Sequence, residues 1–227
     1  MTLILKIFKN NNYLKILVFS ILLNSCSSNG KSKIYSEELQ TLISYVQDKS
    51  DFNYSIKDTI KYKGASVYRV KMNSGRWLTK ELVDEPIWCH WVDIVIPDTL
   101  DTSNSLLFIG GGSKFDNDLF LDSLSIQMAI ETKSIISHIS NIPYQPLKFI
   151  SSDSIERYED NLIAYGWNKF LQGGAKKGDA EWLARFPMTR AVVRGMDVIQ
   201  EITSSKGNAV KKFFISGASK RGWTTWT

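Results

Sequence analysis

The spacing of apolar residues along this chain changes several times, and each change marks an element. From Ser36 to Lys49, Leu39, Leu42, Ile43 and Val46 recur at helical spacing behind Glu37 and Glu38. That predicts an amphipathic helix with acids in its first turn. From Asn53 to Asn73 polar and apolar residues alternate, β-branched and Tyr residues are frequent, and Gly64 interrupts the run. This is a pair of strands in a hairpin. Trp77 to Asp84 is irregular, and Trp88 to Pro97 reads as a third strand stopped by proline. Leu106 to Ile109 is a short apolar strand opening into Gly110, Gly111 and Gly112. Asp116 and Asp118 follow, either suited to cap a helix that runs to about Lys133.

The second half continues in the same manner. Ser134 to Ile139 is a short strand, Ile142 to Leu147 is rich in turn residues, and Leu147 to Ile150 is extended. Asp153 to Leu171 is helical and ends at Gly173 and Gly174. Asp179 to Arg185 is a short helix. Pro187 sits at the start of another that runs to about Thr203, where its missing N–H costs nothing. Gly207-Asn208 is a turn. Phe213, Phe214 and Ile215 then suit a strand covered on both faces, leading into Gly217-Ala218-Ser219.

Composition narrows the class. A chain of 227 residues, 43% apolar, can bury one sizeable core, and 22% charged residues do not make a disordered chain. The formal charge is +5, but Lys6, Lys9 and Lys15 supply three of those charges from a leader. The domain's own surplus is small and gives no reason to expect a nucleic-acid partner. The two cysteines, Cys26 and Cys89, are no disulfide framework, and no metal-ligand spacing appears. No cofactor is implied.

Residues 1–25 read as a targeting segment, with a basic start and an apolar run, Ile16 to Leu23, too short to span a bilayer. Leu23-Asn24-Ser25-Cys26 resembles a bacterial lipobox, with Cys26 as the lipidated new N-terminus. The alternative is an ordinary secretory signal with a chance cysteine. Residues 26–35 are a polar tether and residues 36–227 the folded domain. The expected location is the bacterial cell envelope, with the domain facing the periplasm or exterior. Cys89 is then expected to be a buried small hydrophobe.

Strand, glycine-rich loop, helix, strand, excursion, helix, strand, serine turn, helix is the order in which an α/β-hydrolase presents its oxyanion loop and then its nucleophile. The predicted fold is therefore α/β, a mostly parallel sheet with flanking helices. Ser219 would be the nucleophile at a sharp strand-to-helix turn. The oxyanion donors would be the N–H groups of Gly111, Gly112 and Lys220. The alternatives are a plain Gly-Ser turn and, for the glycines, a flexible loop or phosphate cradle. A phosphate loop wants Lys before Ser or Thr, and Ser113-Lys114 reverses that order. Arg221 stands two places after the serine, where a small residue is usual, and Gly222 comes one later. No Asp, Glu or His follows Ser219, and the histidines, His90 and His138, lie in strands where they read as structural. Glu156, Arg157, Glu159 and Asp160 read as the solvated side of a helix. Trp182, Arg185, Arg190 and Arg194 are either an anion site or, for the last two at i, i+4 spacing, solvated.

Several longer motifs carry a resemblance. They are Glu159 to Trp167 (EDNLIAYGW), Glu181 to Met188 (EWLARFPM), Arg194 to Asp197 (RGMD) and Gly217 to Trp226 (GASKRGWTTW), with Leu106 to Gly112 and Pro143 to Leu147 fitting too. Together they resemble the PhoPQ-activated pathogenicity-related protein family over about residues 36–227. That family is similar to α/β-hydrolases and includes secreted bacterial proteins and a eukaryotic secreted proliferation repressor. The resemblance implies a serine hydrolase acting on an ester or peptide-like bond of an unidentified small molecule or peptide. It also implies that Ser219-Lys-Arg-Gly222 is the family's own form of the serine turn. Because members are longer, it implies an N-terminal piece, cut just after the nucleophile turn and lacking the catalytic acid and histidine. A non-catalytic, hydrolase-like binding module and a remnant that does not fold are the competing expectations.

Overall fold

The computed structural model describes residues 37–117, 123–150 and 153–227. The proposed signal segment, the tether, Cys26 and Asp118 lie outside the described residues.

Gly64, at a φ of +92°, turns β1 (Asn53–Tyr62) into β2 (Ala65–Arg76), as the interrupted alternation predicts. With β3 (Ile87–Pro97), β4 (Asn104–Ile109), β5 (Ile135–Ile139) and β6 (Lys212–Gly217) they form one sheet in the order β1-β2-β3-β5-β4-β6. The strands from β1 to β5 along that order pair antiparallel, whereas β4 pairs parallel with both β5 and β6. The parallel half matters for function. It delivers the chain segments after β4 and β6 to the same end of the sheet, side by side, where α/β sheets place their ligands.

The helices are α1 (Glu37–Gln47), α2 (Ser123–Thr132), α3 (Glu159–Gln172), α4 (Arg185–Ser205) and α5 (Lys220–Thr224), with a 3₁₀ turn at Lys177–Trp182. Strand residues alternate between two cores. Val70, Val92, Ile94 and Leu107 face the core that α4 completes with Met188, Ala191, Val198 and Ile199. Val67, Val95 and Ile136 face the opposite core, closed by Ala129 of α2.

Several expectations change. The helix expected from Asp153 begins at Glu159, because Arg157 and Leu147 exchange backbone bonds of 2.9 and 3.2 Å and hold the segment before it extended. Asp116 does not cap α2; its Oδ2 accepts from the N–H of Ser113 at 2.7 Å and closes the glycine loop instead. Arg190 and Arg194 are buried, at 1% and 3% exposure, rather than solvated. The Arg194 guanidinium donates to Val46 O at 3.0 Å and pairs with Asp197 at 2.8 Å. Arg190 donates to Arg76 O and stacks 4.2 Å over the ring of Tyr45. Together they fasten the C-terminal end of α1, the negative end of its dipole, to α4. β6 is an edge strand among the described residues, and Phe214 on its outer face is 63% exposed, not covered. Cys89 is only half-buried, a free thiol that burial pushes above its ordinary value. Among the described residues no helix is long and apolar enough to cross a membrane.

Candidate active site

Ile109 ends β4 and pairs with Gly217, which ends β6, so the glycine loop and the serine turn leave the sheet as neighbours. The backbone turns sharply after Gly217. Ser219 has φ +55° and ψ −121°, a left-handed conformation that costs a non-glycine residue about 1–3 kcal/mol. Close backbone packing holds it there. A Cβ on Gly217 would lie 2.7 Å from the carbonyl carbon of Arg221, and one on Gly222 would lie 2.7 Å from the carbonyl oxygen of Gly217. Both glycines are small because two backbones touch, which explains why the second one stands three places after the serine. Ser219 is exposed at the apex, and its side chain makes no cap bond to α5.

The glycine loop is fixed by its carbonyls. Gly110 O accepts from Ile142 N–H at 3.2 Å, and Gly111 O from Asn141 N–H at 2.8 Å. Gly112 O accepts from the Gln145 side-chain amide at 2.8 Å. The two outer N–H groups are also engaged, Gly110 with Ile139 O at 2.7 Å and Ser113 with Asp116. In a trans peptide each N–H points away from the preceding carbonyl. The N–H groups of Gly111 and Gly112 are thereby turned away from the 139–145 segment, and they have no backbone acceptor among the described residues. Lys220 is the first residue of α5, so its N–H has no acceptor within that helix.

Arg221, the departure from the usual small residue, fills the space between the loop and the turn. Its Nε donates to Ile142 O, and its other nitrogens bond both oxygens of Glu159, Nη1 to Oε2 at 3.0 Å. A side chain on Gly111 would collide with the Arg221 guanidinium. Lys220 Nζ lies 3.2 Å from Glu159 and 3.0 Å from Asp160. Gln145 completes the set, donating to Glu159 Oε1 at 2.9 Å while its own Oε1 accepts from Glu159 N–H at 2.7 Å. Burial alone would raise the Glu159 carboxyl, but its hydrogen bonds with Arg221 and Gln145 and the Arg221 charge outweigh burial and hold it below its ordinary range. Glu159 is therefore part of the site and not the solvated helix face its neighbours suggested. The signal was present in Arg221: an arginine inside a tight turn needs an acceptor within reach of its guanidinium.

The two histidines sit in strands, as expected. His90 is fully buried; its Nδ1 meets Ser140 O at 3.1 Å and its Nε2 meets Ser74 Oγ at 3.0 Å. A carbonyl only accepts, so Nδ1 carries the proton and Nε2 accepts from the Ser74 hydroxyl. His138 lies under the loop, where a Cβ on Gly110 would collide with its Nε2. Burial pushes both imidazoles down to about 4. Among the described residues no cluster of His, Cys, Asp and Glu is suited to a metal ion.

Known proteins are similar to this chain over part of their length. The chain is similar to an acetyl xylan esterase candidate from Bacteroides fragilis, with 13% identity and a TM-score of 0.46 over 81% of this chain and 46% of that one. It is also similar to a glucuronoyl esterase from Solibacter usitatus, with 11% identity and a TM-score of 0.45 over 83% of this chain and 53% of that one. Autocrine proliferation repressor protein A of Dictyostelium discoideum is 36% identical over 200 residues, 86% of this chain. This chain spans 38% of that relative's length. Residues 42–227 match the family described as PhoPQ-activated pathogenicity-related protein, and the chain belongs to that family.

Proposed function

We propose that this chain carries the nucleophile and the oxyanion donors of a serine hydrolase acting on an ester or peptide-like bond. The observation that carries the reading is the left-handed Ser219 at the end of β6, set beside a glycine loop whose three carbonyls are all tied back. In the reaction Ser219 Oγ bonds the substrate carbonyl carbon as its proton passes to a base. The developing oxyanion meets the N–H groups of Gly111, Gly112 and Lys220, worth about 3 kcal/mol for each donor. The bond to the leaving alcohol or amine then breaks as the proton returns to it, and water frees Ser219 by the reverse steps. An imidazole with a pKa near 4 is a weak base at neutral pH. Neither His90 nor His138 is therefore proposed as that base. The test is turnover of a short-chain ester by the protein as its cell produces it, with Ser219→Ala. The variant is expected to lose activity by at least about 10³-fold with its fold intact.

A second reading is a hydrolase-like module of the envelope that binds a peptide without cutting it. The low basicity of both imidazoles favours it. Equal turnover by wild type and Ser219→Ala, or none by either, would choose this reading over the first.

The proposed location is the cell envelope, with the domain tethered by lipid on Cys26. The basic start, the short apolar run and the lipobox-like Leu23–Cys26 support this. Cys26→Ala is expected to move the protein from the membrane fraction to the soluble one. Unchanged fractionation would count against the anchor.

A further inference from the structure

We propose that Glu159 is a positioning residue that sets both sides of the oxyanion site with one carboxylate. The inference rests on the serine-hydrolase reading and goes beyond it, because Glu159 touches no reacting atom. On the serine side Glu159 bonds Arg221 and pairs with Lys220, the two residues that follow the nucleophile. On the glycine side it accepts from Gln145, which holds Gly112 O. Arg221 also reaches across to Ile142 O, on the segment that pairs with Gly110 and Gly111. The carboxylate thus couples the peptide planes of Gly111 and Gly112 to that of Lys220.

Two features indicate that this linkage is built rather than incidental. Glu159 itself has a left-handed φ of +47°, a conformation that places its N–H on Gln145 Oε1 while its side chain reaches the serine turn. Gly111 has no room for a side chain because the Arg221 guanidinium occupies that space. The chain therefore keeps a strained glutamate and a bare glycine so that an arginine can sit between loop and turn. A misplacement of about 1 Å at a reacting centre costs about 10²-fold in rate, which is the scale on which loss of this linkage should register.

Glu159→Gln tests it by two readouts in the same protein, as its cell produces it. The first is fluorophosphonate labelling of Ser219. The labelling rate constant is expected to fall about 10²-fold, with apparent affinity for the probe unchanged. The second is amide hydrogen exchange, which needs no catalysis. The N–H groups of Asn141 and Ile142, which hold Gly111 O and Gly110 O, are expected to exchange about tenfold faster. Those of Ile94 and Val95 in β3 are expected to stay as in the wild type. Labelling at the wild-type rate overturns the inference while leaving the hydrolase reading in place. If wild-type Ser219 does not label at all, the hydrolase reading falls, and exchange alone decides the linkage. Unchanged exchange at Asn141 and Ile142, or a rise across the whole sheet that marks a general loss of stability, overturns it.

Discussion

Alanine at Gly217 is expected to cost the fold about 3 kcal/mol and to pull Ser219 out of its turn. The reason is steric and not conformational. The added Cβ would meet the Arg221 carbonyl carbon at 2.7 Å and its oxygen at 2.8 Å, distances that ordinary Cβ contacts do not reach. Both colliding atoms are backbone, so no rotamer change relieves the clash. Either the end of β6 moves away from β4 or α5 swings outward, and each movement separates Lys220 from the glycine loop. Gly222→Ala repeats the collision from the other side, against Gly217 O. Gly178→Ala is the control, since a Cβ there meets nothing within 4 Å. Urea unfolding followed by circular dichroism reads the effect. Wild-type stability in Gly217→Ala would show that the backbones are not in contact.

Acid is expected to weaken the protein well before its carboxylates titrate. His90 and His138 are held neutral in the fold, with pKa values pushed from 6.5 down to about 4 by burial. Unfolded, each returns to about 6.5 and binds a proton more readily. Between these values the unfolded chain holds more protons, so stability rises with pH, is fully present above about 6.5, and is lost as pH falls toward about 4. At pH 5 the loss is about 2 kcal/mol for each imidazole. Glu85 and Glu159 have lowered pKa values, so their contributions disappear only at lower pH. The window from 6.5 to 5 therefore belongs to the histidines. Imidazole resonances of the folded protein should not titrate in it, and midpoints near 6.5 would remove the basis of the prediction.

Much of the fold was legible because its elements carry strong periodicity. The α1 stripe of Leu39, Leu42, Ile43 and Val46, the hairpin broken at Gly64 and the strand entering three glycines all stand where the pattern placed them. The serine turn was legible from the order of parts, a glycine loop after one strand and Gly217-Ala218-Ser219 after a later one, because Gly-Ala-Ser after a strand is by itself equally a plain turn. What was not legible depends on partners far along the chain. Arg190 and Arg194 look like a solvated i, i+4 pair, yet the carbonyls that bury them belong to Arg76 and Val46. Glu159 sits among Glu156, Arg157 and Asp160 and shares their composition, but its partner lies 62 residues away. Phe214 reads like its neighbours Phe213 and Ile215. The strand order alone decides which face α4 covers and which stays open. Local pattern gives element type, and tertiary pairing gives the fate of charge.

The most direct test of Ser219 as the nucleophile is the site of covalent capture by a fluorophosphonate. Trypsin releases Phe213–Lys220, a peptide with two serines, Ser216 and Ser219. Fragment masses tell them apart. The proposed chemistry predicts a phosphonyl group on Ser219, absent after Ser219→Ala or after unfolding in urea before exposure to the probe. A folded protein that takes up no probe, or takes it up at Ser216, would contradict the assignment.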